Sequence, residues 1–252
     1  MLTLTRLGIG AFNVADFDVF DIANFNRQAG AVLSTIGRPK VDVMAEMALE
    51  INPELVIRRF PKGVAASNLD DFLRDVDLYV DSLDFFAFDA RRAIFAACHR
   101  NGIPAITAAP LGMGTAVLVF LPGGMTFENY FCLEGCDEEE MGIRFLIGLS
   151  PGMLQRGYLV DPSRVSLAEQ RGPSTVAACQ LCAGVTATEA VKILLGRDGV
   201  ICAPRGYQFD AYRNRLVRTW RPGGNRNLLQ RLGLWLGRRQ LRRMREAGAK
   251  HA

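Results

Sequence analysis

Over the first 120 residues, short apolar runs that end in acids alternate with longer amphipathic segments. This rhythm restricts the fold more than any other feature. "IGAFNVADFD" predicts a strand ending in carboxylates. "GRPKVDVMAEMALEINP" predicts a helix with Val41, Met44, Met47 and Leu49 near one face, stopped around Asn52-Pro53. "ELVIRRF" predicts a strand, "SNLDDFLRDV" a helix opened by cap-type residues, and "DLYVDSLD" a short buried strand. "AFDARRAIFAACHRNG" predicts a helix closed by glycine, and "IPAITAAPLGMGTAVLVF" two further strands. Strand and helix in this order imply an α/β fold, a doubly wound and mostly parallel sheet with helices on both faces. Ligands of such sheets sit beyond the carboxyl ends of the strands.

After about residue 122 the rhythm changes. Residues 123–152 and 156–174 read as turn-rich connections, and "STVAACQLCAGVTATEAVKILLGR" as a helix of small residues capped by Ser174 or Thr175. "GYQFDAYRNRLVRTW" predicts an antiparallel hairpin around Arg213-Asn214, and "RPGGNRN" a linker. The division is therefore 1–122 for the α/β region, 123–222 for the remainder of the same domain, and 223–252 for a separate tail.

At 252 residues the chain can bury a substantial core. No apolar run reaches the roughly 18 to 20 residues that span a bilayer. The start is not a convincing signal peptide, and a cytoplasmic location is expected. The six cysteines then read as free thiols. With only His99 and His251 present, a histidine-rich metal centre is excluded, and neither sits in a catalytic-triad setting. The net charge of +4 is uneven: from Arg221 onward nine Lys or Arg face a single acid, Glu246, so the body is mildly acidic and the tail strongly basic.

Asp16 and Asp18 close the first strand, where a doubly wound sheet places the acid that bonds a ribose hydroxyl, although either could simply open a polar loop. Asn24, Asn26 and Arg27 offer two amides and a guanidinium fork suited to phosphate oxygens. Lys40 follows thirteen residues after Arg27, at a predicted helix start that favours an anion; a solvated surface lysine is its bland reading. Asp81 and Asp84 end another parallel strand, where a carboxylate can coordinate Mg²⁺ on a polyphosphate or merely cap the next helix.

The series "DFDVFDIANFNRQ … GRPK … NP … VDSLDFFAFDARRAIFAACHRNGIPAI", with the helix "CAGVTATEAVKILLG", resembles the adenylating superfamily of ThiF, MoeB and the ubiquitin-activating enzymes. The resemblance implies a Rossmann-like fold with antiparallel C-terminal additions, ATP and Mg²⁺ as cofactors, and a homodimer. Asp16, with Asp18 beside it, would serve the ribose. Asn24, Asn26, Arg27 and Lys40 would serve the phosphates, and Asp81 the metal. The implied reaction is attack of a carboxylate on the α-phosphate of ATP, giving an acyl-adenylate and pyrophosphate. The carboxylate is often the C-terminal glycine of a ubiquitin-like or sulfur-carrier protein.

The chain departs from that pattern in three places. "MLTLTRLGIG" matches the helix that follows the family's first strand and glycine-rich turn, so both are missing; "LGMGTA" does not replace them. Without its central strand the sheet is expected to expose two edges or pair differently. A start upstream of Met1 is the favoured explanation, an impaired product the other. No transfer cysteine precedes the small-residue helix, and Cys179 and Cys182 lie inside it, where small thiols pack. Only one C-x-x-C occurs, where the zinc-binding members use two.

The tail reads as a basic amphipathic helix, with Leu228, Leu232 and Trp235 on one face, Leu229 and Leu236 beside them, and Arg231, Arg238, Arg242 and Arg245 opposite; Gly233 and Gly237 weaken it. Such a helix docks on its own domain, lies on an anionic membrane or binds RNA. Three functions remain open: carboxylate adenylation, a tRNA-threonylcarbamoyladenosine dehydratase-like reaction on tRNA, and a non-catalytic binding partner.

Overall fold

A computed structural model describes residues 1–158 and 175–248, and side chains as far as Arg242. Most of the expected connection 156–174 and the end of the tail lie outside the described residues. The strands form two sheets. In the first, β1 (Ala11–Ala15) pairs in parallel with β2 (Val56–Phe60), Ala15 opposite Phe60. The second has β3 (Tyr79–Asp81), β4 (Ala105–Leu111), β5 (Gly114–Phe120), β6 (Arg205–Asp210) and β7 (Arg215–Trp220) in that spatial order. β3 and β4 are parallel, and the other three pairings are antiparallel. No ladder joins β1 to β3, so each is an edge. A ladder of rings crosses the division instead: Phe60 meets Phe72 edge-on at 5.3 Å, and Phe72 meets Tyr79 at 6.4 Å.

The expected helices form as α2 (Lys40–Ile51), α3 (Leu69–Phe72), α4 (Phe88–Arg100) and α7 (Val176–Leu194), the last capped by the Thr175 hydroxyl, which accepts from Ala178 N. A short α1 (Leu2–Arg6) precedes β1. Alternation along β5 divides the core. Leu118 and Phe120 face Phe95 of α4 and the rings beyond it, whereas Val117 and Val119 face Ile106 and Ala190 of α7. The expectation that no run is long and apolar enough to span a bilayer is corrected by α7, which by length and composition alone is. Its Ala178, Ala187, Glu189 and Ala190 are nevertheless buried, with Glu189 accepting from the Tyr207 hydroxyl of β6.

Two further expectations are corrected. The stretch 123–152 is mostly helical, with α5 (Phe127–Phe131) and α6 (Glu138–Leu149). Asp137 caps α6, and three glutamates in its first turn favour the positive end of the helix dipole. Phe127, Phe131 and Phe145 complete the aromatic core with Phe95 and Phe120. "RPGGNRN" is not a free linker. Asn225 is buried and donates to the Phe131 and Arg144 carbonyls, and a Cβ on Gly224 (φ +57°) would collide with the Tyr130 backbone.

The tail forms α8 (Leu228–Gly248), docked on α6, but not through its leucine-rich face. The docked side is Gln230, Leu234 and Arg238, with Leu234 buried against Ile143 and Ile147. Gln230 donates to the Ile147 carbonyl, and Arg238 Nε bonds Glu140 at 2.8 Å. Gly233 and Gly237 face Ile147 and Ile143, so the glycines that weaken the helix also let it approach closely.

Candidate functional site

The site is built from the carboxyl end of β1 and the loop that returns to α2. Phe20 is the anchor, buried with Ala31 and Val43. Asp21 opens a single 3-10 turn, Ile22–Asn24, by accepting from Ala23 N, while Asn24 Oδ1 accepts from Asp21 N at 3.0 Å. The chain turns again at Gly37 (φ +78°), where glycine alone is unstrained, and enters α2 at Lys40.

This geometry links three of the expected residues. Asp16 Oδ1 accepts from Asp18 N at 2.8 Å, and Asp18 Oδ2 accepts from Lys40 Nζ at 2.8 Å. The Lys40 amide also donates to the Asp18 carbonyl, and Val19 bridges Pro39. Lys40 is therefore no free surface lysine: its side chain is only 12% exposed and is paired with Asp18. Asp16 keeps one carboxylate oxygen free of any hydrogen bond among the described residues.

The amides build the loop. Asn24 is buried and committed to the turn, and Asn26 Oδ1 accepts from Arg27. Arg27 also donates to the Ala23 carbonyl at 2.9 Å, which fixes its fork at the loop surface. From there Arg27 acts electrostatically on Cys179 of α7. Burial pushes the Cys179 thiol up and Arg27 pulls it partly back; burial also raises Cys182. Both thiols stay protonated at neutral pH, in keeping with a packing role.

Asp81 stands elsewhere. It ends β3 in the other sheet, and no hydrogen bond or ion pair joins it to the Asp16–Lys40 loop. Its Oδ2 accepts from Arg91 Nε at 2.7 Å and from the Thr107 hydroxyl at 2.8 Å, and its Oδ1 from Leu83 N. Both side chains of the Asp81–Arg91 pair are 2% exposed. The carboxylate expected to hold Mg²⁺ is thus buried and engaged on both oxygens. Arg91 further donates to the carbonyls of Leu83, Asp84 and Phe85 and lies over the Phe145 ring at 4.7 Å. The pair shapes the "DSLDFF" turn and so presents Asp84, whose exposed carboxylate accepts only from Phe86 N among the described residues. The sequence hints at this partner through the arginines of "DARR", but which of the two turns inward depends on packing. Among the described residues no group of three or more His, Cys, Asp or Glu side chains could hold a metal by itself. A Mg²⁺ site needs fewer protein ligands when phosphates share it.

Comparison with known proteins identifies the family of the chain. Residues 1–230 match the model of the ThiF family. The tRNA threonylcarbamoyladenosine dehydratase of Haemophilus influenzae is 34% identical over 110 residues, 43% of this chain and 41% of that protein. The sulfur carrier protein ThiS adenylyltransferase of Escherichia coli is 30% identical over 121 residues, 48% and 47% of the two. The aligned part thus spans less than half the length of these relatives. Among solved structures, E. coli MccB with ATP superposes with a TM-score of 0.61 at 16% identity, over 86% of this chain and 58% of MccB; this likeness concerns the fold. The match of the family model across nine-tenths of the sequence decides the assignment: the chain belongs to the ThiF family.

Proposed function

We propose that the chain carries an ATP site used to adenylate a carboxylate. The observation that supports this most is the Asp16–Asp18–Lys40 chain of hydrogen bonds, set where β1 ends and α2 begins. Asp16 would accept from ribose hydroxyls through its unengaged oxygen. The Lys40 ammonium would receive phosphate oxygens, with Asp18 releasing it as the polyphosphate enters. Arg27 would add its fork from the loop, held in place by Asn26, while Asn24 keeps the loop closed. Charge neutralisation of this kind is the main lever on nucleotidyl transfer. Mg²⁺, when bound, would screen the phosphate charges, and the exposed Asp84 fits it better than the engaged Asp81.

Transfer of AMP to a carboxylate makes an acyl phosphate bond and releases pyrophosphate. A second reading concerns the acceptor. The first relatives named above comprise a dehydratase of a tRNA nucleoside and an adenylyltransferase of a sulfur-carrier protein, so a carboxylate on tRNA and the C-terminus of a small carrier protein are both candidates. The test is ATP-dependent pyrophosphate release by the full chain, with tRNA or with a carrier protein as acceptor. Release that requires one acceptor and is lost in Lys40→Ala supports the proposal and names the substrate class. A chain that neither binds ATP nor releases pyrophosphate would favour the non-catalytic partner.

A further inference from the structure

The leucine-rich side of α8 is left in water. Leu228, Leu229, Leu232, Trp235 and Leu236 are between 46% and 76% exposed, although the helix has a buried side of its own on α6. Five large apolar side chains along three turns form a patch that a soluble surface does not ordinarily retain. At 100° per residue Arg239 falls on this same side and Arg231 and Arg242 at its border, not opposite it as the sequence spacing suggested, while Arg226 stands just before the helix. Arg226, Arg231, Arg239 and Arg242 are exposed and make no ion pair among the described residues, and Arg239 lies over the Trp235 ring at 5.5 Å. No acid occurs from Arg221 to Arg245. The helix is held in this attitude from behind by Leu234, by Gln230 on the Ile147 carbonyl and by Arg238 on Glu140.

From these features we infer that the outward face of α8 is a docking surface for an anionic membrane. The patch from Leu228 to Arg242 is about 21 Å long at the α-helical rise, suited to lying in the interface rather than crossing it. The leucines enter the acyl boundary, Trp235 sits at headgroup level, and the arginines reach lipid phosphates with their stems along the apolar surface. Charge decides among occupants. A second copy docked by two-fold symmetry would set arginine against arginine. A nucleic acid would satisfy the arginines but give four leucines no partner. An anionic bilayer takes both.

The test uses the full chain in a Trp220→Phe background, which leaves Trp235 as the single tryptophan. Flotation with phosphatidylglycerol–phosphatidylcholine vesicles is compared with phosphatidylcholine alone. Binding to the anionic vesicles only, with a blue shift of Trp235 emission and weakening by salt, is the expected result. Leu232→Glu, and separately Arg239→Gln with Arg242→Gln, should each lower partition by about tenfold or more while circular dichroism stays unchanged, since these side chains are exposed. Leu236→Gln serves as a second apolar probe. Failure to float, or flotation indifferent to Leu232→Glu and Leu236→Gln, overturns the inference. So does a chain that ignores vesicles but binds RNA, or one that forms a dimer which Leu232→Glu dissociates.

Discussion

Replacing Asp81 by alanine would remove the only carboxylate, among the described residues, bonded to the Arg91 guanidinium, which is itself 2% exposed. Arg91 would keep its three carbonyl acceptors and the Phe145 ring, but its charge would be buried without a counterion. Breaking a buried pair from one side costs about 3–5 kcal/mol. With a urea slope of about 2–3 kcal/mol per M, the unfolding midpoint should fall by roughly 1–2.5 M. Replacing both partners, as Asp81→Ala with Arg91→Met, should recover most of the loss, because the uncompensated charge is gone. Asp84→Ala should behave in the opposite way: an exposed side chain with one local hydrogen bond changes stability by about 0.5 kcal/mol or less, yet its loss should suppress Mg²⁺-dependent pyrophosphate release. Urea unfolding followed by fluorescence, beside ATP turnover measured where each variant is folded, separates the two. An Asp81→Ala protein as stable as the parent and inactive, beside a fully active Asp84→Ala, would refute this reasoning and return the metal role to Asp81.

Three further outcomes are expected. Arg238 first, then Arg144, hold the Glu140 carboxyl below the ordinary glutamate value against the opposing effect of burial. A depressed carboxylate contributes its stability above the unfolded value and loses it as pH falls, so the α8 amides should lose hydrogen-exchange protection below about pH 4, and Glu140→Gln should abolish that dependence. Cys179→Ser should leave pyrophosphate release within about twofold, because the half-buried thiol, its pKa raised, stays protonated; a loss above tenfold would give it a chemical role. The homodimer implied by the resemblance would find apolar surface on the β1–α2 loop, where Leu33 is 83% exposed, so Leu33→Asp should lower the sedimentation coefficient if that surface is used.

The runs that form β1, β2, β3 and β4 are each readable along the chain, and among the described residues no strand lies between β1 and β3. The turns and caps of the β1–α2 loop are equally legible, because Asp21, Asn24 and Lys40 act within a few residues or at one helix start. Helix α6 escaped the sequence reading although its signal was local: Asp137 and three glutamates mark its start, but glycines and neighbouring turn residues interrupt the pattern.

Other features rest on partners far apart in sequence. Asp81 and Asp84 are the same residue type three positions apart. One is structural and the other exposed because Arg91 and Thr107, brought from α4 and β4, close around the first. The seating of α8 is decided in the same way. Its own amphipathicity favours burial of Leu228, Leu232 and Trp235, yet Ile143, Ile147 and Glu140 of α6 select Leu234 and Arg238 and turn the leucines outward. Periodicity and capping are short-range and readable along the chain. Which of two carboxylates is buried, and which of two helix faces, is a competition among long-range contacts, and only the packed structure settles it.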